Sequence, residues 1–106
     1  MKQVFIDKFV VPKNAVEEFI QRMNYNRGFL RNLPGFMHDA AYERTDENGN
    51  TVVVTIAVWE SEEAIKKAKE AVQAEYDRIG FHPAEMFARL NIALERGTYT
   101  EMVQGS

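Results

Sequence analysis

Apolar side chains fill both alternating faces of residues 51–59, TVVVTIAVW, with one set starting at Val52 and the other at Val53. Successive side chains of a strand point to opposite sides of its sheet, so both sides of this strand must be covered. Residues 46–50, DENGN, are typical of a hairpin turn, and Ser61 with the two glutamates after it is typical of a helix start. The pattern therefore predicts a central strand, with a hairpin partner before it and a packing helix after it.

The rest of the chain alternates between the periods of strands and helices. Asn14 and Glu17 have the spacing of a capping box at the start of the first helix, and Gly97 predicts a bulge or bend in the last strand. We predict an α+β fold of the ferredoxin-like βαββαβ type, with an antiparallel four-stranded sheet, in one domain over 1–103. The last residues, 104–106, are given no role and are treated as an expression remnant. The predicted strands are 2–11, 36–45, 51–60 and 92–103, and the predicted helices are 14–31, 61–79 and 83–90.

The first strand shares the doubly apolar pattern of the central one. Two helices cover only one face of a four-stranded sheet, so the monomer has nothing left for the other face. The simplest cover is a second copy, which predicts a homodimer through sheet packing with an interface above about 1,000 Å².

The composition of the chain argues against some classes of binding partner. The net charge of −3 gives no basic face for nucleic acid, and it gives no reason to expect a membrane surface as partner. There is no cysteine, so disulfides and thiolate chemistry are excluded. No segment has the length of a membrane span or the core of a signal peptide, which makes the cytoplasm the expected location.

Three short motifs resemble one known family when they are taken together. They are FVVP at residues 9–12, LPGF at 33–36 and VWESEEA at 58–64. In this order they resemble the antibiotic biosynthesis monooxygenase (ABM)-like proteins of the dimeric α+β barrel class. The resemblance implies that fold and dimer, and it implies one of several activities, among them oxygenation of quinol-like aromatics without a cofactor and degradation of haem.

The haem-degrading branch of this family relies on an asparagine in the first strand and on a tryptophan and a histidine in the second helix. Here the strand position is about Asp7, the predicted helix 61–79 has neither residue, and Trp59 belongs to the preceding strand. We therefore expect no haem degradation and no cofactor.

Five polar residues are candidates for a pocket between the helices and the sheet. Arg27 interrupts the apolar stripe of the first helix with Asn24 beside it, and Tyr76 lies on the buried stripe of the second. His38 and Tyr42 share one face of strand 36–45, and they join the others only if that face points at the helices. These residues also have purely structural interpretations. The first helix would end early, so that Arg27 reaches water. His38 would be an ordinary hydrogen-bonded strand residue, and Tyr42 and Tyr76 would be packing residues with satisfied hydroxyl groups.

Three functions remain open at this point. The first is a cofactor-independent monooxygenase acting on a small aromatic or quinol-like substrate, in which His38 takes a proton and Arg27 stabilises the anion. Asn24, Tyr42 and Tyr76 would then bind the substrate. The second is a non-catalytic dimer that binds a small hydrophobic or aromatic ligand, and the third is a haem-binding protein. The two histidines with Asp7 or Asp39 have no recognisable metal spacing.

Overall fold

Four antiparallel strands form one sheet with helices on one face in the computed structural model, which describes residues 1–103. The predicted tail, 104–106, lies outside these residues. The predicted α+β, ferredoxin-like arrangement is confirmed, and the sheet of the single chain is open rather than closed into a barrel. The elements are β1 (Gln3–Val11), α1 (Val16–Leu30), β2 (Phe36–Thr45), β3 (Thr51–Trp59), α2 (Glu62–Ile79), α3 (Pro83–Leu90) and β4 (Ala93–Tyr99).

The strands lie in the order β2-β3-β1-β4, so the two doubly apolar segments occupy the middle of the sheet. Each central strand pairs with an antiparallel neighbour on both sides. Phe9 lies opposite Val53, and both are buried beneath the helices. The odd-numbered residues of β1 and β3 therefore form the helix face of the sheet, and the even-numbered residues form the open face.

Two apolar clusters hold the helices on the sheet. The first, which we call the Phe9 cluster, joins β1 and β3 to α1 and α3 through buried Phe9, Phe19 and Met86. The second, the Trp59 cluster, joins the end of β3 to the first turns of α2 and the last turn of α1. The buried members of the Trp59 cluster are Trp59, Ala64, Ile65 and Ala68, with Phe5, Leu30, Leu33, Phe36 and Ala57 packed against them.

The two ends of α2 follow the sequence prediction, whereas the start of α1 does not. The Ser61 hydroxyl accepts a hydrogen bond from the backbone N–H of Ala64 at 3.1 Å, and Gly80 ends the helix in the left-handed region with φ of 69°. The predicted capping box of Asn14 is wrong. A turn of 3-10 helix, Lys13–Ala15, comes first, and α1 then starts without a side-chain cap.

A glycine brings β2 close to α2. Gly35 has φ of +84°, and a Cβ added there would lie 2.4 Å from the Cβ of Ala64. The N–H of Glu60 also donates to the Gly35 carbonyl at 2.9 Å. Only glycine fits this approach, because both the backbone conformation and the space exclude a side chain.

The irregular position of the sheet lies in β2 rather than in β4. Phe36 pairs with Trp59 and His38 pairs with Val58, so Met37 is an extra residue on β2. Phe36 therefore packs on Trp59 beneath the helices, with ring centroids 5.5 Å apart, while His38 lies on the open face. The bulge predicted at Gly97 is wrong, because β4 keeps a continuous register past that residue and ends at Tyr99.

Candidate functional site

Polar side chains cross the helix face of the sheet between the two apolar clusters. The pairing brings Asp7 beside Arg96 on one side and Thr55 on the other, and the next row places Asp39 beside Ala57. Helix side chains from α1 and α2 meet these rows. We call this set the polar band, and it comprises Asp7, Arg27, Asp39, Tyr76 and Arg96.

Asp7 and Arg96 form the half of the polar band nearest β4. The guanidinium donates twice, from Nε to Oδ1 at 2.9 Å and from Nη2 to Oδ2 at 3.0 Å. Asp7 is 8% exposed, whereas the side chain of Arg96 is half-exposed. The ring of Phe5 lies beside the pair, with the Arg96 guanidinium carbon and the Lys69 ammonium nitrogen each 5.4 Å from its centroid. A buried carboxylate is thus held in one orientation by two charge-assisted hydrogen bonds.

Asp39 and Arg27 form the other half, and Arg31, the residue that follows the last turn of α1, also reaches Asp39. The Nε of Arg27 donates to Oδ2 at 2.6 Å, and the Nε of Arg31 lies 3.3 Å from Oδ1. Burial acts to raise the pKa of Asp39, but the hydrogen bonds and charges of the two arginines outweigh it and hold the pKa below its ordinary value. The carboxylate is therefore ionised across the neutral range, and it fixes both guanidinium groups.

Tyr76 closes the polar band from the side of α2. Its hydroxyl donates to the side-chain oxygen of Asn26 at 3.0 Å, and its ring packs edge-on against Phe81. Burial raises the pKa of Tyr76 above its ordinary value, with smaller effects from the charges of Arg96 and Asp7. Tyr76 is therefore a neutral hydrogen-bonding group at physiological pH rather than a base.

The structure brings together only part of the predicted set. Arg27 and Tyr76 lie in the polar band, whereas Asn24 is exposed on α1. His38 and Tyr42 lie on the open face and are exposed. The expectation that these five share one pocket is wrong, because the extra residue at Met37 gives Phe36 and His38 opposite orientations. The apolar Phe36 therefore indicated the wrong face for the rest of β2.

The sequence does not single out five residues that the fold brings to this region, namely Asp7, Asn26, Arg31, Asp39 and Arg96. Asp7 interrupts an apolar strand, and that interruption was a visible signal of a buried charge. Asp39 is adjacent to His38, but its importance depends on the register of β2. No local pattern distinguished Arg96 on β4 or Asn26 on α1, because their partners lie far away in the sequence.

Two concavities of the described residues are open grooves outside the polar band. One lies on the open face near the hairpin, between Lys8, Arg44 and Val52. The other runs between the start of α2 and the start of β1, beside Gln3 and Lys69. Residues 1–103 contain no group of three acidic or histidine side chains arranged to hold a metal ion. None of the helices in the same range is long and apolar enough to cross a membrane.

The family model described as antibiotic biosynthesis monooxygenase matches residues 4–75 of this chain. The match covers most of the chain, including β1, α1, β2, β3 and most of α2. The chain belongs to the antibiotic biosynthesis monooxygenase family. No curated protein matches it.

Solved structures with the same fold span nearly the whole chain. SnoaB, a cofactor-independent oxygenase from Streptomyces nogalater, is 25% identical with a TM-score of 0.66, covering 99% of this chain and 98% of its own. A protein of Shewanella loihica PV-4, provisionally named a monooxygenase, is 19% identical with a TM-score of 0.71, covering 97% and 96%.

The de novo designed protein Foldit4 also matches, at 17% identity and a TM-score of 0.63, covering 96% of this chain and 100% of its own. A designed protein shares the arrangement of strands and helices, so the fold by itself carries no activity. Any activity therefore depends on the side chains that the fold positions, such as those of the polar band.

Proposed function

We propose that this protein is a cofactor-independent monooxygenase that acts on a small aromatic, quinol-like substrate held between the helices and the sheet. The observation that carries the proposal is the polar band. Two carboxylate–arginine groups and a neutral tyrosine lie between two apolar clusters. An apolar site with a few fixed polar groups is the usual form of a small-molecule site. Family membership and the likeness to a cofactor-independent oxygenase support the same proposal.

The proposed chemistry needs a proton acceptor and a cation near the substrate. The exposed His38 is separated from the polar band by the sheet, so we assign the proton to the carboxylate of Asp7. Arg96 beside it then faces the phenolate or carbanion that forms. Arg27 remains our candidate for binding a negatively charged oxygen of the substrate, and Tyr76 for donating a hydrogen bond to it once its hydroxyl turns away from Asn26.

The overall reaction balances without any other reactant. The deprotonated substrate gives one electron to O₂, and the radical pair combines at the reacting carbon. Loss of water then converts an activated CH₂ group and O₂ into C=O and H₂O. The protein supplies exclusion of bulk water, orientation and proton transfer, each a recognised contribution to rate.

Oxygen uptake with an anthrone, corrected for its spontaneous oxidation, tests this function. We expect uptake with one H₂O formed per O₂, and Asp7→Asn should lower the rate by about 10²-fold or more, the scale of a lost proton acceptor. Arg89→Gln is the matched control, because Arg89 pairs with Glu18 on the surface. Uptake equal to the blank, or full activity of Asp7→Asn, would overturn the assignment.

One observation favours ligand binding without chemistry as the second candidate function. Both carboxylates of the polar band are already paired with arginine, and no histidine lies among them. Such a site can hold an aromatic molecule without reacting with it. Saturable anthrone binding without oxygen uptake would select this alternative.

We also propose that a second copy covers the open face of the sheet. The Cα atoms fill a slab 18 Å thick, and one broad side of it is this face. Four strands about 4.8 Å apart and about 30 Å long present roughly 550 Å² per copy, so two copies would bury about 1,100 Å². Lys8 lies opposite Glu95 on this face, so it offers both signs of charge to a rotated copy. Its apolar side chains are Val4, Ile6, Val10, Ala40, Val52, Val54, Ile56 and Val58.

A further inference from the structure

The two halves of the polar band differ in charge. Asp7 and Arg96 balance one another. Asp39 is shared by Arg27 and Arg31, so that group of three carries one positive charge that no neighbour in the group cancels. The next charged residue on the same face of β2 is Glu43, beyond Ala41; it is exposed and makes no ion pair among the described residues. We call Arg27, Asp39 and Arg31 the arginine cluster.

We propose that the arginine cluster binds the carboxylate of an aromatic acid. This deepens the proposed function, on which it rests, by naming a substrate that is already a monoanion before it enters the site. A balanced pair such as Asp7–Arg96 has no net attraction for an anion. The arginine cluster has that attraction, because one charge in it is unmatched.

The donors of the arginine cluster are free to bind. Both arginines use Nε to reach Asp39, and their terminal nitrogens make no hydrogen bond among the described residues. Residues 1–103 contain no buried side-chain nitrogen or oxygen without a partner, so terminal nitrogens that make no hydrogen bond face accessible space. Paired N–H groups of a guanidinium match the two oxygens of a carboxylate.

Exposure increases along the arginine cluster from the interior outward. The side chain of Arg27 is 21% exposed, that of Arg31 is 52% exposed, and Asp39 between them is 11% exposed. An anion can therefore meet Arg31 first and then Arg27, where less water competes for it. Asp39 is a positioning residue in this arrangement, because it holds both guanidinium groups in place.

The surroundings select an aromatic acid rather than an inorganic anion. Leu30, between the two arginines on α1, belongs to the Trp59 cluster, and Ala57 lies next to Asp39 on the sheet. Leu30 therefore gives the arginine cluster an apolar surface on one side, and Ala57 is a small side chain next to it. Phosphate or sulfate would gain nothing from that surface, whereas a fused aromatic ring attached to a carboxylate would gain both contacts.

Titration of the intact protein with 2-naphthoate tests the proposal, with uncharged 2-naphthamide as the matched ligand. Binding is followed by calorimetry under nitrogen, so that no turnover contributes. We expect naphthoate to bind at least tenfold more tightly than the amide, and its affinity to fall as salt is added. Equal affinities for the two ligands, or no naphthoate binding at millimolar concentration, would overturn the proposal.

Substitutions locate the binding. Arg31→Gln should weaken naphthoate binding about tenfold and leave amide binding unchanged, and Arg31→Lys should restore part of the loss. Arg31 is half-exposed, so the variant should fold, and a thermal melt checks this. Arg89→Gln is the control, because it removes one positive charge from the protein without changing the arginine cluster. Unchanged naphthoate binding in both Arg27→Gln and Arg31→Gln would place the anion elsewhere and overturn the proposal.

The outcomes separate this inference from the proposed function. Naphthoate binding that depends on Arg31, without oxygen uptake from any anthrone, would support the anion site and remove the oxygenase. Oxygen uptake from neutral anthrones that is indifferent to Arg31→Gln, together with equal binding of the two naphthalene ligands, would retain the oxygenase and remove the anion site.

Discussion

The helix face and the open face of the sheet carry different kinds of residues. The helix face combines the largest buried apolar side chains of β1 and β3 with two carboxylate–arginine groups. The open face is apolar over most of β1 and β3, where Lys8 is the one charged residue, and Arg44 and Glu95 lie on the flanking strands. Neighbouring residues such as Asp7 and Lys8 therefore have unrelated environments, although both interrupt the same apolar strand.

The difference shows how much a one-residue step matters in a strand. A charge on the helix face is enclosed, so it must bring its own partner. A charge on the open face keeps its contact with water in the single chain. The two buried carboxylates of the sheet, Asp7 and Asp39, lie on the face where charges are costly, and each has an arginine partner from another element.

The largest expected effect comes from placing an acid on each face at adjacent positions. Val53 is 1% exposed on the helix face, and Val53→Asp should cost more than about 4 kcal/mol because it buries an unpaired charge. Val54→Asp, on the open face, should leave the chain folded and should abolish the proposed self-association. Circular dichroism with urea denaturation measures folding, and light scattering measures mass.

Two outcomes would contradict this account. A folded Val53→Asp protein of unchanged stability would show that the helix face tolerates a bare charge. A wild-type protein with the mass of one 12.2 kDa chain at micromolar concentration would remove the dimer.

A smaller effect is expected from removing one acidic charge from each face. Asp7→Asn should destabilise the chain by about 1–2 kcal/mol, because it weakens a bidentate pair and leaves Arg96 with a poorer acceptor. Glu95→Gln, on the open face opposite Lys8, should change the free energy of unfolding by less than about 0.5 kcal/mol. Urea midpoints at fixed protein concentration compare the two variants, and equal losses would contradict the distinction between the faces.

The smallest effect is a change in how steeply the urea midpoint falls at acid pH. The pKa of Asp39 is below its ordinary value of 3.8 in the folded chain, so the unfolded chain takes up this proton first as the pH falls. The contribution of Asp39 is therefore complete above about pH 4–5 and is lost as the pH falls through its folded pKa. Asp39→Asn should flatten the decline of the urea midpoint below pH 4, while Glu47→Gln on the hairpin should not. If the urea midpoints of wild type and Asp39→Asn fall equally steeply below pH 4, the arginines do not stabilise this carboxylate.

Much of the fold could be predicted from the sequence because it depends on local periods. The doubly apolar pattern identified β1 and β3 as central strands, and Ser61 and Gly80 marked the ends of α2. The capping residue of α1 could not be predicted in this way, since Pro12 and a 3-10 turn compete with a regular helix start.

The candidate site was less predictable because it depends on register and on distant partners. Arg27 and Tyr76 could be identified, since each occupies the apolar stripe of a helix. Alternation alone favours His38 over Asp39, because it cannot reveal the extra residue at Met37. Arg96 lies 89 positions from Asp7, and no local pattern joins residues that far apart.

The close approach at Gly35 has a consequence for how this family member can change over time. The contact with Ala64 fixes the distance between α2 and the sheet at this point, and hence how closely α2 lies over the polar band. Any side chain at position 35 would act as a wedge under α2. A substitution in this turn would therefore alter ligand selectivity from a position outside the polar band.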